Sequence, residues 1–260
     1  MCLIIFAYRV HPEFPLLLAA NRDEFYARPT APSAFWNERP ELLAGRDKQA
    51  GGTWMGVTRG GRFAAVTNFR DPARTEPAPR SRGELPLDWL LGAKDASDWL
   101  AGLDTRRSEY AGFNLLIGDG DGLWYYSNAG ARGPRQLAPG VYGLSNASLN
   151  TPWPKVELGK ARMAALLSGT IDHSRLLRTV HDRHVAAAED LHSHGLRESM
   201  DQLLSPQFIQ TEQYGTRSST SILWHDSGHI SWRECSYGVS TAQNNVVEED
   251  LQLPPAGSRM

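Results

Sequence analysis

A chain of 260 residues with 41% hydrophobic and 22% charged side chains has ordinary globular composition and is long enough to bury a sizeable core. The formal net charge of −2 offers no basic field for nucleic acid, and no apolar run reaches the roughly eighteen residues of a membrane-spanning helix. Only two cysteines occur, Cys2 and Cys235, which excludes a disulfide framework or a cysteine-rich metal site. With no secretory-signal pattern at the N-terminus, the expected address is the cytoplasm.

Leu3 to Arg9 is an apolar run rich in isoleucine and aromatics. Pro15 to Ala20 is a second, ending in the polar Asn21-Arg22-Asp23-Glu24, and the short connection predicts an antiparallel hairpin. A loop punctuated by Pro29, Pro32 and Pro40 follows. Gly51 to Val57 and Phe63 to Phe69 read as another hairpin, turned at Gly60-Gly61. Asp71 to Gly83, with three prolines and three arginines, reads as an exposed loop. From Glu84 to Leu103 the spacing of Leu87, Leu90, Leu91, Trp99, Leu100 and Leu103 predicts two short helices broken near Gly92.

Strands Phe113 to Ile117 and Leu123 to Ser127 flank a glycine-rich turn over Gly118 to Gly122, and Val141 to Ser145 is a further strand leading to Asn146. Pro154 to Leu167, Ser174 to His181 and Leu196 to Leu204 read as helices. Thr220 to His225 and His229 to Glu234 form a closing hairpin turned at Asp226-Ser227-Gly228. Leu251 to Met260 reads as a flexible tail, leaving a single domain over residues 1–250. Strands and helices come in blocks rather than in alternation. That predicts an α+β fold of antiparallel sheets covered by helices, not a Rossmann fold or a barrel.

The chemistry centres on Cys2. Removal of Met1 would place a thiol and a free α-amine on one residue. An α-amine has an ordinary pKa of roughly 7.7 to 8, so it can accept the thiol's proton, and nucleophile and base then need no distant histidine. The alternative is that Cys2 is a small buried hydrophobe at a strand start. If the first two strands pair, Asp23 returns beside Cys2, where a carboxylate can hold an α-ammonium. The alternative there is a strand-end turn in which Asn21 and Asp23 satisfy their own backbone.

Met1-Cys2, Asn21-Arg22-Asp23-Glu24, Gly51-Gly52-Thr53-Trp54, Val66-Thr67-Asn68-Phe69-Arg70, Ser81-Arg82-Gly83, Gly143-Leu144-Ser145-Asn146 and Tyr214-Gly215-Thr216-Arg217-Ser218-Ser219-Thr220 together resemble the NRDE family, that of the transport and Golgi organisation protein. These motifs appear in order over residues 1 to about 240. The resemblance implies an N-terminal-nucleophile hydrolase-like αββα four-layer sandwich, with two antiparallel sheets between helical layers. A more distant resemblance, to the bile-salt hydrolase and penicillin V acylase group, implies the roles. Cys2 would be the nucleophile, Asp23 the orienter of its amine, Asn68 and Asn146 the oxyanion donors, and Arg217 a support for the cysteine. Asn21, Arg22, Glu24, Trp54 and Phe69 are the candidate substrate contacts. One departure from the acylase pattern is Ala20, where that group usually carries an arginine; Arg22 is nearby, but alternation turns it to the face opposite Asp23.

Of the eight histidines, His181 and His184 read as exposed on one helical face, His192 and His194 as loop residues, and His225 and His229 as surface residues beside a turn. None has the carboxylate spacing of a zinc motif, so no metal is expected. Most of the eight tryptophans, among them Trp36, Trp54, Trp89, Trp124 and Trp153, are expected in the core, with one or two lining an apolar pocket. Cys235 reads as structural.

Two functional classes follow. One is hydrolysis or acyl transfer at a non-peptide amide or thioester, with no cofactor required. The other, implied by the family resemblance, is non-catalytic binding and trafficking of haem, or of an acyl-CoA or lipid, as cargo. Either way the expected partner is a small-molecule ligand.

Overall fold

A computed structural model describes residues 2–70, 78–130, 133–193, 196, 199–239 and 243–254. In chain order the first strands are β1 (Cys2–Tyr8), β2 (Leu16–Phe25), β3 (Thr30–Trp36), β4 (Arg39–Asp47), β5 (Met55–Thr58) and β6 (Phe63–Asn68). Helices α1 (Glu84–Leu90) and α2 (Ala96–Asp104) follow, then strands β7 (Phe113–Gly118), β8 (Leu123–Ser127), β9 (Arg135–Gln136) and β10 (Gly140–Leu144). Four more helices come next: α3 (Pro154–Leu166), α4 (His173–Arg178), α5 (Ala188–Ser193) and α6 (Ser199–Leu203). The last strands are β11 (Tyr214–Trp224), β12 (His229–Tyr237) and β13 (Gln243–Gln252). The fold is α+β and builds two sheets, ordered β10-β1-β2-β11-β12-β13 and β3-β4-β5-β6-β7-β8-β9. The chain divides into two compact units. One comprises Met1–Ala27, Pro139–Ser145 and Leu149–Leu251, the other Arg28–Ala138, Asn146–Ser148 and Gln252–Met260.

In the first unit, β1 and β2 lie inside the six-stranded sheet and pair antiparallel, with Cys2 opposite Arg22 and Leu3 opposite Asn21. A strand covered on both faces must be apolar throughout, which is why Leu3 to Tyr8 and Leu16 to Ala20 read as unbroken hydrophobic runs. Helix α3 packs on β1 and β10, and α4 packs on β2 and β11. Two glycines permit the close approach of α3. A Cβ at Gly159 would stand 2.6 Å from the Ile5 side chain, and one at Gly143 would stand 2.6 Å from Val156. Pro154 occupies the first turn of α3, where its missing N–H costs nothing. That start, together with the tight helix–strand contact, sets Lys155 into the protein interior.

In the second unit, α1 lies against β5, β6 and β7, and a core of Trp36, Leu42, Leu85, Trp89, Trp99, Phe113 and Tyr126 forms around it. Two of its buried indoles donate to carbonyls: Trp36 Nε1 to Ala44 at 3.0 Å and Trp89 Nε1 to Phe63 at 2.9 Å. Asp95 caps α2, its side chain accepting from the Asp98 amide at 2.9 Å.

Several expectations need correction. The proline-punctuated stretch from Pro29 to Pro40 is two strands rather than a loop. Pro32 is tolerated because β3 is the outermost strand of its sheet and slips register between Ala31 and Ala34, while Pro40 sits at the start of β4. The polar Asn21-Arg22-Asp23-Glu24 does not end β2 but lies within it, with the first three side chains buried. Strand β11 begins at Tyr214, six residues before the expected start, because the Thr216 and Ser219 hydroxyls meet Asp23 and Asn21 inside the sheet.

The α4 helix stops at Arg178, so His181 and His184 share no helical face. His181 instead packs on Phe208, with centroids 4.4 Å apart, and burial pushes its pKa down. His192 lies in α5, a helix that was not expected. Residues 251 and 252, expected in a flexible tail, close β13, and Leu251 is buried. The expected loop over 71–77, His194 and the remaining tail over 255–260 fall outside the described residues.

Candidate functional site

Cys2 opens β1 and is half-buried, directly across the ladder from Arg22. Cross-strand partners share a face, so Cys2, Arg22 and Ser218, the partner of Arg22 on β11, form one row on the same side of the sheet. The Asp23 backbone amide hydrogen-bonds the thiol, and Ser145 Oγ donates to the Cys2 carbonyl at 2.9 Å. Burial pushes the thiol pKa up, and the nearby Arg22 charge opposes that rise.

Asp23 is held at its carbonyl and at one of its carboxylate oxygens. Its carbonyl accepts from Tyr214 at 2.9 Å, and its Oδ1 accepts from Thr216 Oγ1 at 2.7 Å. The same Thr216 hydroxyl accepts the Ile209 amide at 2.9 Å. Burial raises the pKa of the Asp23 carboxyl, while the Lys155 charge, the Thr216 hydroxyl and the Arg22 charge pull it down. Lys155 is itself buried, donates from Nζ to the Leu204 carbonyl at 2.9 Å, and has a pKa lowered by desolvation. A thiol, a carboxylate, a guanidinium and an ammonium thus converge where β1, β2, β11 and α3 meet.

The neighbouring Asn21 is structural in its contacts. Its Nδ2 donates to the Val180 and Gln207 carbonyls at 2.6 and 2.8 Å, and its Oδ1 accepts from Ser219 at 2.6 Å. Glu24 lies 3.7 Å from the Arg22 guanidinium. Arg217 is the extra residue where β11 slips register between Thr216 and Ser218. Its guanidinium donates to the Phe25 and Tyr26 carbonyls at 2.9 and 3.2 Å, whereas the arginine whose charge acts on the thiol is Arg22.

The remaining candidates belong to the second unit. Asn146 Nδ2 donates to the Asn68 carbonyl at 2.8 Å, and the Asn146 carbonyl accepts the Arg70 amide at 2.7 Å, so these two motifs are joined. Phe69 is half-buried and its amide donates to Gly112. Trp54 packs at the edge of the tryptophan-rich core, its ring against Gly45. Among the described residues no cluster of three or more His, Cys, Asp or Glu could hold a metal.

Sequence reasoning missed Lys155, Thr216, Ser145 and Tyr214. A lysine directly after the first proline of a helix reads as solvated, and only the close packing of α3 on β1 buries it. Thr216 carried a signal, since it lies in the Tyr214 to Thr220 motif, but nothing in that motif says which hydroxyl meets Asp23.

The model of the "Transport and Golgi organisation 2" family matches residues 1–238. This chain belongs to that family. A mouse transport and Golgi organization 2 homolog is 34% identical over 97% of this chain and 100% of its own length. A bovine homolog is 36% identical over 91% of this chain and 93% of its own. Among solved structures, a Caenorhabditis elegans N-acylethanolamine-hydrolyzing acid amidase ortholog superposes with a TM-score of 0.48 at 10% identity, covering 85% of this chain and 92% of that one. A conjugated bile acid hydrolase mutant from Clostridium perfringens superposes with a TM-score of 0.45 at 8% identity, over 96% and 92% of the two chains. The family motifs Asn21 to Glu24 and Tyr214 to Thr220 fall on two paired strands, with Asp23 opposite Thr216.

Proposed function

We propose that this family member is an N-terminal cysteine hydrolase or acyl transferase acting on a non-peptide amide or thioester, with Cys2 as nucleophile. The observation that supports it best is the pairing that sets Cys2 across the ladder from Arg22, with the next residue, Asp23, buried and bound at one carboxylate oxygen by Thr216.

The reading requires removal of Met1, so that Cys2 bears the α-amine. That amine takes the thiol proton, and the sulfur attacks the carbonyl carbon of the substrate. The carbonyl π bond opens to an oxyanion, for which the acylase resemblance assigns Asn68 and Asn146 as donors. Collapse breaks the C–N or C–S bond, and the leaving amine or thiolate takes the proton held on the α-ammonium. Water, deprotonated by the same amine, then cleaves the enzyme thioester and restores the thiol; an acceptor in place of water gives transfer. Asp23 orients the α-ammonium in each step. Burial and the Asp23 charge hold the thiol pKa up, and the Asp23 amide and the Arg22 charge oppose that rise only in part, so the proton leaves to the amine as the sulfur attacks.

The test is intact mass, followed by hydrolysis of N-acyl aminocoumarins and acyl thioesters with mass detection of a trapped acyl-enzyme. Loss of Met1, and a fall of about a thousandfold or more in turnover for Cys2→Ala, are expected. Retained Met1, or full turnover in Cys2→Ala, would overturn the assignment. Saturable haem binding indifferent to Cys2→Ala, with no turnover of any probe, would put the carrier function in its place.

A further inference from the structure

A second feature of the first unit has no part in the Cys2 chemistry. Along the far end of α3 and the outer side of α4 runs a groove of about 840 Å³, and none of its lining residues belongs to the cluster around Cys2. That volume is within the range of small-molecule sites, roughly 300 to 1,000 Å³. Four guanidiniums line it, from Arg162, Arg175, Arg178 and Arg183, against one lining carboxylate, Asp182. Arg162 is tied to Asp182 at 2.8 Å and Arg175 to Asp172 at 2.7 Å. Arg178 and Arg183 are exposed and have no carboxylate partner among the described residues.

The positive charge is also ordered. Arg162 is anchored at three acceptors, Asp182, the Arg178 carbonyl and Gln207. Arg183 lies over the Phe208 ring, 4.6 Å from its centroid, and His181 packs on the same ring. Such stacking holds a guanidinium in a fixed plane and lowers the entropy lost when its fork engages an anion. The apolar stretch of Ala165 and Leu166 lines the same groove and suits an organic moiety beside the charge.

We propose that this groove binds a small molecule through a multiply charged phosphate group, gripped by Arg178 and Arg183 with Arg162 and Arg175 behind them. Guanidinium forks match phosphate oxygens bidentately, and a doubly or more highly charged group matches the unpaired pair. The net charge of −2 for the whole chain makes a local field of this sign stand apart from the rest of the molecule.

The full-length protein is titrated calorimetrically with inorganic pyrophosphate, orthophosphate and sulfate at near-physiological ionic strength. Saturable one-to-one binding of pyrophosphate is expected, about tenfold or more tighter than sulfate. The double variant Arg178→Ala/Arg183→Ala should weaken it by about tenfold or more, with a melting curve only slightly lowered by loss of the Arg183 stack on Phe208. The lysine pair Arg178→Lys/Arg183→Lys should fall between, since it keeps charge and loses the forks. Arg135→Ala, an exposed arginine of the other unit, should bind as the parent does. Sedimentation with phosphatidylcholine vesicles, with and without phosphatidic acid, separates the sources. Retention on the acidic vesicles that the double variant loses assigns a lipid-borne phosphate, and binding of pyrophosphate without retention assigns a soluble one; either supports the site. No saturable response to pyrophosphate or to the acidic vesicles, or a response that the double variant keeps, overturns it.

Discussion

Replacing Thr216 by valine tests the grip on Asp23 with almost no change in shape. Thr216 is fully buried, and its hydroxyl serves two groups at once: it donates to Asp23 Oδ1 at 2.7 Å and accepts the Ile209 amide at 2.9 Å. Losing a hydrogen bond to a charged group costs about 1.5–3 kcal/mol, and stranding a buried amide costs about 1–3 kcal/mol more. Since the valine methyl fills the space of the lost oxygen, no cavity adds to this, and the expected loss is about 3 kcal/mol. Thr216→Ser keeps the hydroxyl and deletes one methyl, for a loss of about 1 kcal/mol. Urea unfolding of the parent and both variants, with m-values held in common, gives the difference directly. The serine variant should keep about 2 kcal/mol that the valine variant loses. Equal stability of the two, to within about half a kcal/mol, would show that the hydroxyl does not carry the site.

Two further perturbations probe the framework beneath it. Gly159→Ala should destabilise by about 1–3 kcal/mol through overpacking on Ile5, despite the better helix propensity of alanine, and Ile5→Val in that background should restore part of it; a stabilised single variant in thermal melts would refute the close packing of α3 on β1. His173 is wedged between Ser221 at 2.8 Å and Ser231 at 3.0 Å, and burial pushes its pKa below the ordinary 6.5. The unfolded chain therefore takes up a proton before the folded one does, so stability is full above pH 6.5 and is lost as pH falls from there through the lowered folded value. His173→Gln should flatten that decline in urea melts taken across the window, leaving the share due to the similarly lowered His181 and His225; an unchanged slope would remove His173 from the account.

Much of this protein is written in local pattern. The unbroken apolar runs of β1 and β2, the helical spacing over Leu87 to Leu103 and the Pro154 helix start each declare an element, because a strand covered on both faces or an amphipathic helix has one hydrophobic period to satisfy. The block order of strands and helices was enough to predict antiparallel sheets. Register followed only to within a residue: pairing of the first two strands was expected to set Asp23 across from Cys2, whereas the ladder sets Arg22 there and Asp23 one position on.

What lay beyond local pattern depends on long-range partners. The Ser/Thr-rich start of β11 and the buried Asn21-Arg22-Asp23 are polar runs, and polar runs become interior strand only when something distant in the chain meets their hydrogen bonds. Thr216 does so for Asp23, and Ser219, Val180 and Gln207 do so for Asn21. Lys155 and the arginine groove belong to the same class, because burial of an ammonium and the gathering of guanidiniums are set by how α3 and α4 lie on the sheet. A single chain of letters carries periodicity. Which charge faces which is a property of packing.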